Sequence, residues 1–164
     1  FTDVEATCIS SEDDVTEAMQ TTFLKSCIGL SNEMVGGAER LREDTLEYVK
    51  MRMQFGRSIA SFQVTKHKAT DMLADVELAK SAAYYAAAAF DDGESDIAAT
   101  ASIAKASASE AYMQTAINAV QMHGGIGFTW DNDTHLWFKR AKSSEVFLGT
   151  ADFHRELMMQ SWDQ

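Results

Sequence analysis

Proline is absent from all 164 residues, and cysteine occurs only twice, as Cys8 and Cys27. Without proline no position lacks an amide hydrogen or clashes with the preceding helical turn, so long helices can run uninterrupted. The two cysteines form neither a Cys-x-x-Cys pair nor a disulfide framework, which suits a reducing compartment such as the cytoplasm. Long apolar runs are missing as well, so the chain reads as having no signal peptide and no membrane span. Positive charge is scarce: 14 lysines and arginines stand against 25 acidic residues, for a net charge of −11. That balance argues against nucleic acid or an anionic membrane as a partner. A few arginines and helix N-termini can still hold an anionic ligand locally. The first residue is Phe1 rather than methionine, as expected of a piece of a longer polypeptide.

What is present favours helix. Hydrophobic residues make up 46% of the chain, and Ala, Leu, Met, Glu and Lys are strong helix formers. Residues 1–11 carry no helical period and are expected to be an irregular lead-in, with Ser11 and Asp14 forming a capping box. Val15, Met19, Phe23, Cys27, Leu30, Met34, Ala38, Leu41, Thr45, Tyr48 and Arg52 then recur at steps of three and four, which predicts one long amphipathic helix. Gly29, Gly36 and Gly37 lie within it, with close packing their expected compensation. Gly56 marks a bend. A second helix carries Ile59, Phe62, Lys66, Ala69, Leu73, Val76, Ala83 and Phe90 on one stripe. Asp91-Asp-Gly-Glu-Ser95 reads as a turn with Gly93 past the helix end. A third helix starts near Asp96 and runs through Ile103, Ala111, Thr115 and Asn118 to Met122. A shorter one is expected over about 133–144, and Thr150 is placed to cap a last helix through Phe153, Leu157 and Met158. Strand periodicity and internal repeats are lacking. The expected fold is all-α: an up-down four-helix bundle with an additional short C-terminal helix, forming a single domain over 1–164.

Three segments stand out chemically. In Gln121-Met-His-Gly-Gly-Ile-Gly-Phe128, three glycines end a long Ala-rich helix and leave bare backbone that a phosphate-bearing ligand could approach. Arg52-Met-Gln-Phe-Gly56 combines a fixed cation, an amide and an aromatic: Arg52 offers a bidentate fork to phosphate, and Phe55 could cover a planar ring. The bland reading of that segment is a turn with a salt-bridged arginine. Phe147-Leu-Gly-Thr150 is the third. His67, His123, His135 and His154 share no ligand spacing and read as surface or core histidines, so no metal site is expected. Glu-x-x-His pairs, a nucleophile elbow and phosphate-loop glycine patterns are all missing.

Tyr48-x3-Arg52-x-Gln-Phe-Gly-x2-Ile59-x2-Phe-Gln63, then Gln121-x-His-Gly-Gly-x-Gly-Phe128, then Arg140-Ala-Lys142 and Gly149-Thr150 together resemble the acyl-CoA dehydrogenases. The resemblance covers about residues 20–160 and corresponds to that family's C-terminal helical domain alone, without its N-terminal helical and middle β domains. It implies FAD bound across a subunit interface. Arg52, Met53, Gln54 and Phe55 would lie by the phosphates and ribityl chain. Gln63, Gln121, Gly124 and Gly125 would meet the nucleotide end of a neighbouring subunit's FAD, and Gly149 and Thr150 the flavin near the acyl thioester. It further implies α,β-dehydrogenation of an acyl-CoA, electron transfer to an electron-transfer flavoprotein, and a homo- or hetero-oligomer. The cofactor carries the redox chemistry while the protein positions the thioester.

The chain departs from that pattern at the base. The family's glutamate usually precedes the Gly-Thr pair, and here that position is Leu148. An alternative family position on the first helix corresponds to Ser26. Neither side chain can act as a carboxylate base. Glu33 and Glu145 are the nearest carboxylates along the chain, and neither matches a family base. Lys139-Arg140 departs as well, where family members often have Arg-Asp. Other readings of the chain are a non-catalytic partner subunit or helical scaffold, or a relative using flavin as a monooxygenase or oxidase.

Overall fold

Forty residues from Glu12 to Met51 form one helix, α1, as expected of a proline-free stripe of this length. The computed structural model describes residues 2–7, 10, 12–94 and 96–162; Cys8 and the proposed cap Ser11 lie outside the described residues. Burial along α1 follows the heptad-like stripe through Cys27, Met34, Ala38, Leu41 and Thr45. Val15 and Met19 of the same stripe are exposed, because α1 begins to pack only at Phe23 and Leu24. Its last carbonyls would be orphaned without a cap. Ser58 Oγ lies 2.8 Å from the Val49 carbonyl and 2.9 Å from that of Lys50, and donates there.

The chain then does something the sequence did not suggest. Met53–Gln54 (β1) and Arg57–Ser58 (β2) pair antiparallel, Met53 opposite Ser58 and Gln54 opposite Arg57. Phe55 and Gly56 turn between them at φ 53° and 77°, both left-handed as in a two-residue type I′ hairpin. Strands of two residues carry no alternating pattern, so they leave no trace in the hydrophobic period. After a single 3₁₀ turn at Ile59–Ser61, α2 (Gln63–Asp91) and α3 (Ile97–His123) complete the long helices. Between them Gly93 N–H donates to the Phe90 carbonyl and Glu94 N–H to that of Ala89, the paired bonds of a glycine-ended helix. A second 3₁₀ segment, Gly124–Phe128, leads to α4 (Thr134–Val146) and α5 (Ala151–Trp162).

Helix α3 is the centre of the bundle and packs against all four others. Helices α4 and α5 share the position beside it: Phe138 of α4 lies by Val120, while His154 and Met158 of α5 line a groove with Ser102 and Ile103. The α2–α3 seam is built from Ala79, Ala83, Ala86, Ala101, Ala104 and Ala108, all buried, so two backbones approach closely. Larger side chains, Met34, Leu41, Met72, Val76 and Tyr112, fill the remaining core. Each contributes roughly 1.5–3 kcal/mol through burial. No helix among the described residues is long and apolar enough to cross a membrane.

Two neighbouring glycines in α1 differ in their reason for being there. A Cβ at Gly37 would sit 2.8 Å from the ring and hydroxyl of Tyr112, which is fully buried, whereas one at Gly36 meets nothing. Gly36→Ala is expected to stabilise the chain by about 0.5–1 kcal/mol through helix entropy. Gly37→Val is expected to destabilise it by about 1–3 kcal/mol, because the rigid core cannot make room. Urea unfolding midpoints of the two variants should move in opposite directions; shifts of the same sign would contradict this packing.

Candidate functional site

Tyr48, near the end of α1, stacks on His123, the last residue of α3, with ring centroids 4.2 Å apart and planes at 18°. Its hydroxyl donates to the His123 carbonyl at 3.4 Å, and His123 Nδ1–H donates to the Ala119 carbonyl at 2.8 Å. This stacked pair ties the two helix ends together and brings segments 75 residues apart into one open cleft of about 460 Å³. Arg52 and Gln54 line one side of it, Gln121, Gly124 and Gly125 the other. Gly124 holds φ 64°, ψ −145°, a region essentially closed to residues with a Cβ. A Cβ at Gly124 or Gly125 would project into open space, so bare backbone faces the cleft. Among the described residues no carboxylate pairs with Arg52.

The other expected residues are spread more widely. Met53 and Phe55 sit on the hairpin; Phe55 is 91% exposed and meets Phe62 edge to face. Gln63 is exposed at the first turn of α2. Gly149 and Thr150 form the corner between α4 and α5, at the far end of the bundle from the cleft. The corner is held to Lys105, and the cleft to Gln121, which are sixteen residues apart on α3, or about 24 Å at helical rise.

At that corner Leu148 and Gly149 both adopt positive φ, 62° and 106°. Gly149 has a second constraint, since a Cβ there would fall 2.3 Å from Phe153 Cδ1. Thr150 Oγ1 accepts the Phe153 amide at 3.4 Å, capping α5. The side chain of Leu148 is partly buried and packs against the main hydrophobic core. Ser26 belongs to the same end of the molecule: its α1 neighbour Phe23 stacks on His154, three residues from the corner's Ala151. The structure thus brings both base positions to one end, with no carboxylate at either. Glu33 is taken by Arg140, whose Nε donates to it at 2.8 Å, and Glu145 by Lys142.

The residue missed from sequence is Lys105. It is fully buried and donates to Ser109 Oγ at 2.9 Å, the Gly149 carbonyl at 3.0 Å and the Glu145 carbonyl at 3.4 Å. A signal existed: Lys105 falls on the same helical face as Ala101 and Ala108, the one cation on a small-residue stripe. Burial lowers its pKa from the usual lysine value.

Three of the four histidines, His123, His135 and His154, are buried, and no group of residues suited to a metal ion occurs among the described residues. Burial lowers the pKa of His123 and His154 below 6.5; for His154 the charge of Lys105 adds to this. Below pH 6.5 the unfolded chain therefore takes up protons before the folded one. The contribution of these two histidines to stability rises with pH through the window between the lowered folded values and 6.5, and is level above it. Thermal unfolding is expected at lower temperature at pH 5 than at pH 7.5, with the gap narrowed in His123→Gln. An unchanged gap in that variant would contradict the assignment.

The fold is a helical bundle, and its cleft is lined by exposed Arg52 on one segment and by bare glycine backbone on the other. Residues 16–162 match the family described as acyl-CoA dehydrogenase, C-terminal domain, and the chain belongs to that family. It is 37% identical over 139 residues to the acyl-CoA dehydrogenase IpdE2 of Mycobacterium tuberculosis, covering 84% of this chain and 42% of that protein. Butyryl-CoA dehydrogenase from Megasphaera elsdenii superposes with a TM-score of 0.83 at 29% identity, over 87% of this chain and 37% of that one. The structure of PigA with FAD and proline superposes with a TM-score of 0.82 at 30% identity, over 86% and 37%. The chain spans about two fifths of the length of these relatives.

Proposed function

We propose that the chain serves as the C-terminal helical domain of an FAD-dependent acyl-CoA dehydrogenase, an oxidoreductase that introduces an α,β double bond into an acyl-CoA thioester. The observation that carries this reading is the cleft in which Arg52 and Gln54 face the bare backbone of Gly124–Gly125. The donor set fits the phosphate-bearing part of FAD: a fork for phosphate oxygens, two amides, and backbone with no side chain in the way. Arg52, Met53, Gln54 and Phe55 would hold the phosphates and ribityl chain, Gln63, Gln121, Gly124 and Gly125 the nucleotide end, and Gly149 and Thr150 the flavin side near the thioester. When bound, FAD supplies the two-electron acceptor. The chain's own residues bind and orient, and an electron-transfer flavoprotein takes the electrons onward. The roughly 24 Å along α3 between the two groups supports contributions to a ligand shared with a neighbouring subunit. The buried, free thiol of Cys27 suits a reducing, cytoplasmic setting.

A second reading refines the first. Leu148 and Ser26 leave both base positions without a proton acceptor, and Glu33 and Glu145 are engaged in ion pairs. This favours a subunit that supplies cofactor and interface residues while a partner chain supplies the base.

The chain by itself is expected to purify colourless, because its half of the cleft is open to solvent. Assembled with a flavin-containing partner chain that supplies the base, it is expected to show flavin absorbance that bleaches when an acyl-CoA is added anaerobically. Flavin absorbance that no acyl-CoA bleaches would contradict the dehydrogenase reading.

A further inference from the structure

The corner that joins α4 and α5 is gripped from inside the bundle. Lys105 of α3 has three ammonium hydrogens and three acceptors around it: Ser109 Oγ, the Glu145 carbonyl and the Gly149 carbonyl. Among the described residues no ion pair neutralises it. The adjacent carbonyl, that of Leu148, accepts His154 Nε2–H at 2.9 Å. That bond fixes the tautomer, so Nδ1 is free to accept from Ser102 Oγ at 3.5 Å. Phe23 of α1 stacks over the same imidazole, ring centroids 6.1 Å apart. Two successive carbonyls are therefore held by side chains of two different helices, at the two residues whose backbone is left-handed.

Such backbone persists only where its surroundings over-determine it. Helix capping does not need this arrangement: Thr150 already caps α5, and the end of α4 has the Phe147 amide on the Ser143 carbonyl. A buried, unneutralised ammonium is costly unless its hydrogens are all placed, and a methionine of similar shape would fill the space without that cost. Retaining lysine here makes sense if the corner must hold one conformation.

We propose that Lys105 and His154 are positioning residues, a two-point clamp that fixes Leu148–Gly149 and so presents Gly149 and Thr150 in a single geometry to the bound flavin. This rests on the reading of the corner as flavin-facing. The clamp also puts a positive charge directly behind Gly149, so the corner favours a ligand that carries or develops negative charge there.

The test uses the flavin-containing assembly with Lys105→Met, His154→Leu and His154→Gln, the last of which keeps an N–H for the Leu148 carbonyl. Amide exchange at 148–150 is expected to accelerate about tenfold or more in the first two variants, while amides of α2 keep wild-type protection. FAD affinity is expected to fall about tenfold in the same two variants, as for loss of a well-placed hydrogen bond, with His154→Gln close to wild type. Unchanged exchange at the corner, or acceleration spread equally over all helices, would overturn the clamp. Fast exchange at 148–150 with wild-type FAD affinity would overturn its role toward the ligand. Should the wild-type assembly take up no FAD, the flavoprotein reading itself fails and the ligand role with it, while the exchange comparison still decides whether the clamp exists.

Discussion

Adding a partner chain that carries an active-site carboxylate should raise acyl-CoA dehydrogenation by about 10²–10⁴-fold over a flavin-containing assembly whose base positions are only those of this chain, the usual worth of a positioned general base. The expectation follows from what stands at the two base positions. Leu148 packs its side chain against the hydrophobic core, and Ser26 Oγ donates to the Thr22 carbonyl of its own helix at 2.7 Å. The remaining candidates are spoken for, Glu33 by Arg140 and Glu145 by Lys142. Leu148→Glu should be unnecessary for activity in the paired enzyme. Dye reduction with an acyl-CoA, measured on the chain's own assembly and then with candidate partners, makes the comparison. Robust turnover by the chain's own assembly would defeat the pairing, and Glu33→Gln and Glu145→Gln would then show which of the two acts as base.

Arg52→Ala is expected to weaken FAD binding by about 10–100-fold, the range for a hydrogen bond to a charged group. Arg52 is exposed and no described carboxylate pairs with it, so the melting temperature of the flavin-free protein should hardly change. Gly125→Val should weaken binding too, by placing a side chain where the cleft is now open. Fluorescence titration of the apo assembly with FAD reads both effects. A loss of affinity that merely tracks a loss of thermal stability would indicate general damage rather than removal of a ligand contact.

The helices were legible because their cause is local. Absence of proline, a sustained three-four period and glycines at Gly93 and Gly149 set the element order, and Thr150 caps α5 as its residue type suggests. Individual stripe members are less legible: the period predicts Lys66 and Leu73 on the buried stripe of α2, yet Lys66 is exposed and Leu73 is 42% exposed. Met72 and Ala79 take the buried face because the Ala-rich surface of α3 approaches from that side. The Phe55–Gly56 hairpin leaves no hydrophobic signal, since two-residue strands carry no period. For the site, the motifs named Arg52, Gln54, Gln121, Gly124 and Gly125, but not that Tyr48 and His123 join their two segments by stacking. Lys105 was hidden for a different reason. A lysine among alanines reads as solvated by default, and only the fold places three acceptors around it.

The most direct measurement is a density map of the flavin-containing assembly that includes this chain. The account predicts FAD phosphate oxygens within hydrogen-bonding distance of the Arg52 guanidinium on one subunit, and the nucleotide end against the Gly124–Gly125 backbone. FAD bound away from the Arg52–Gly125 cleft, or that cleft occupied by protein side chains in the assembled enzyme, would contradict it.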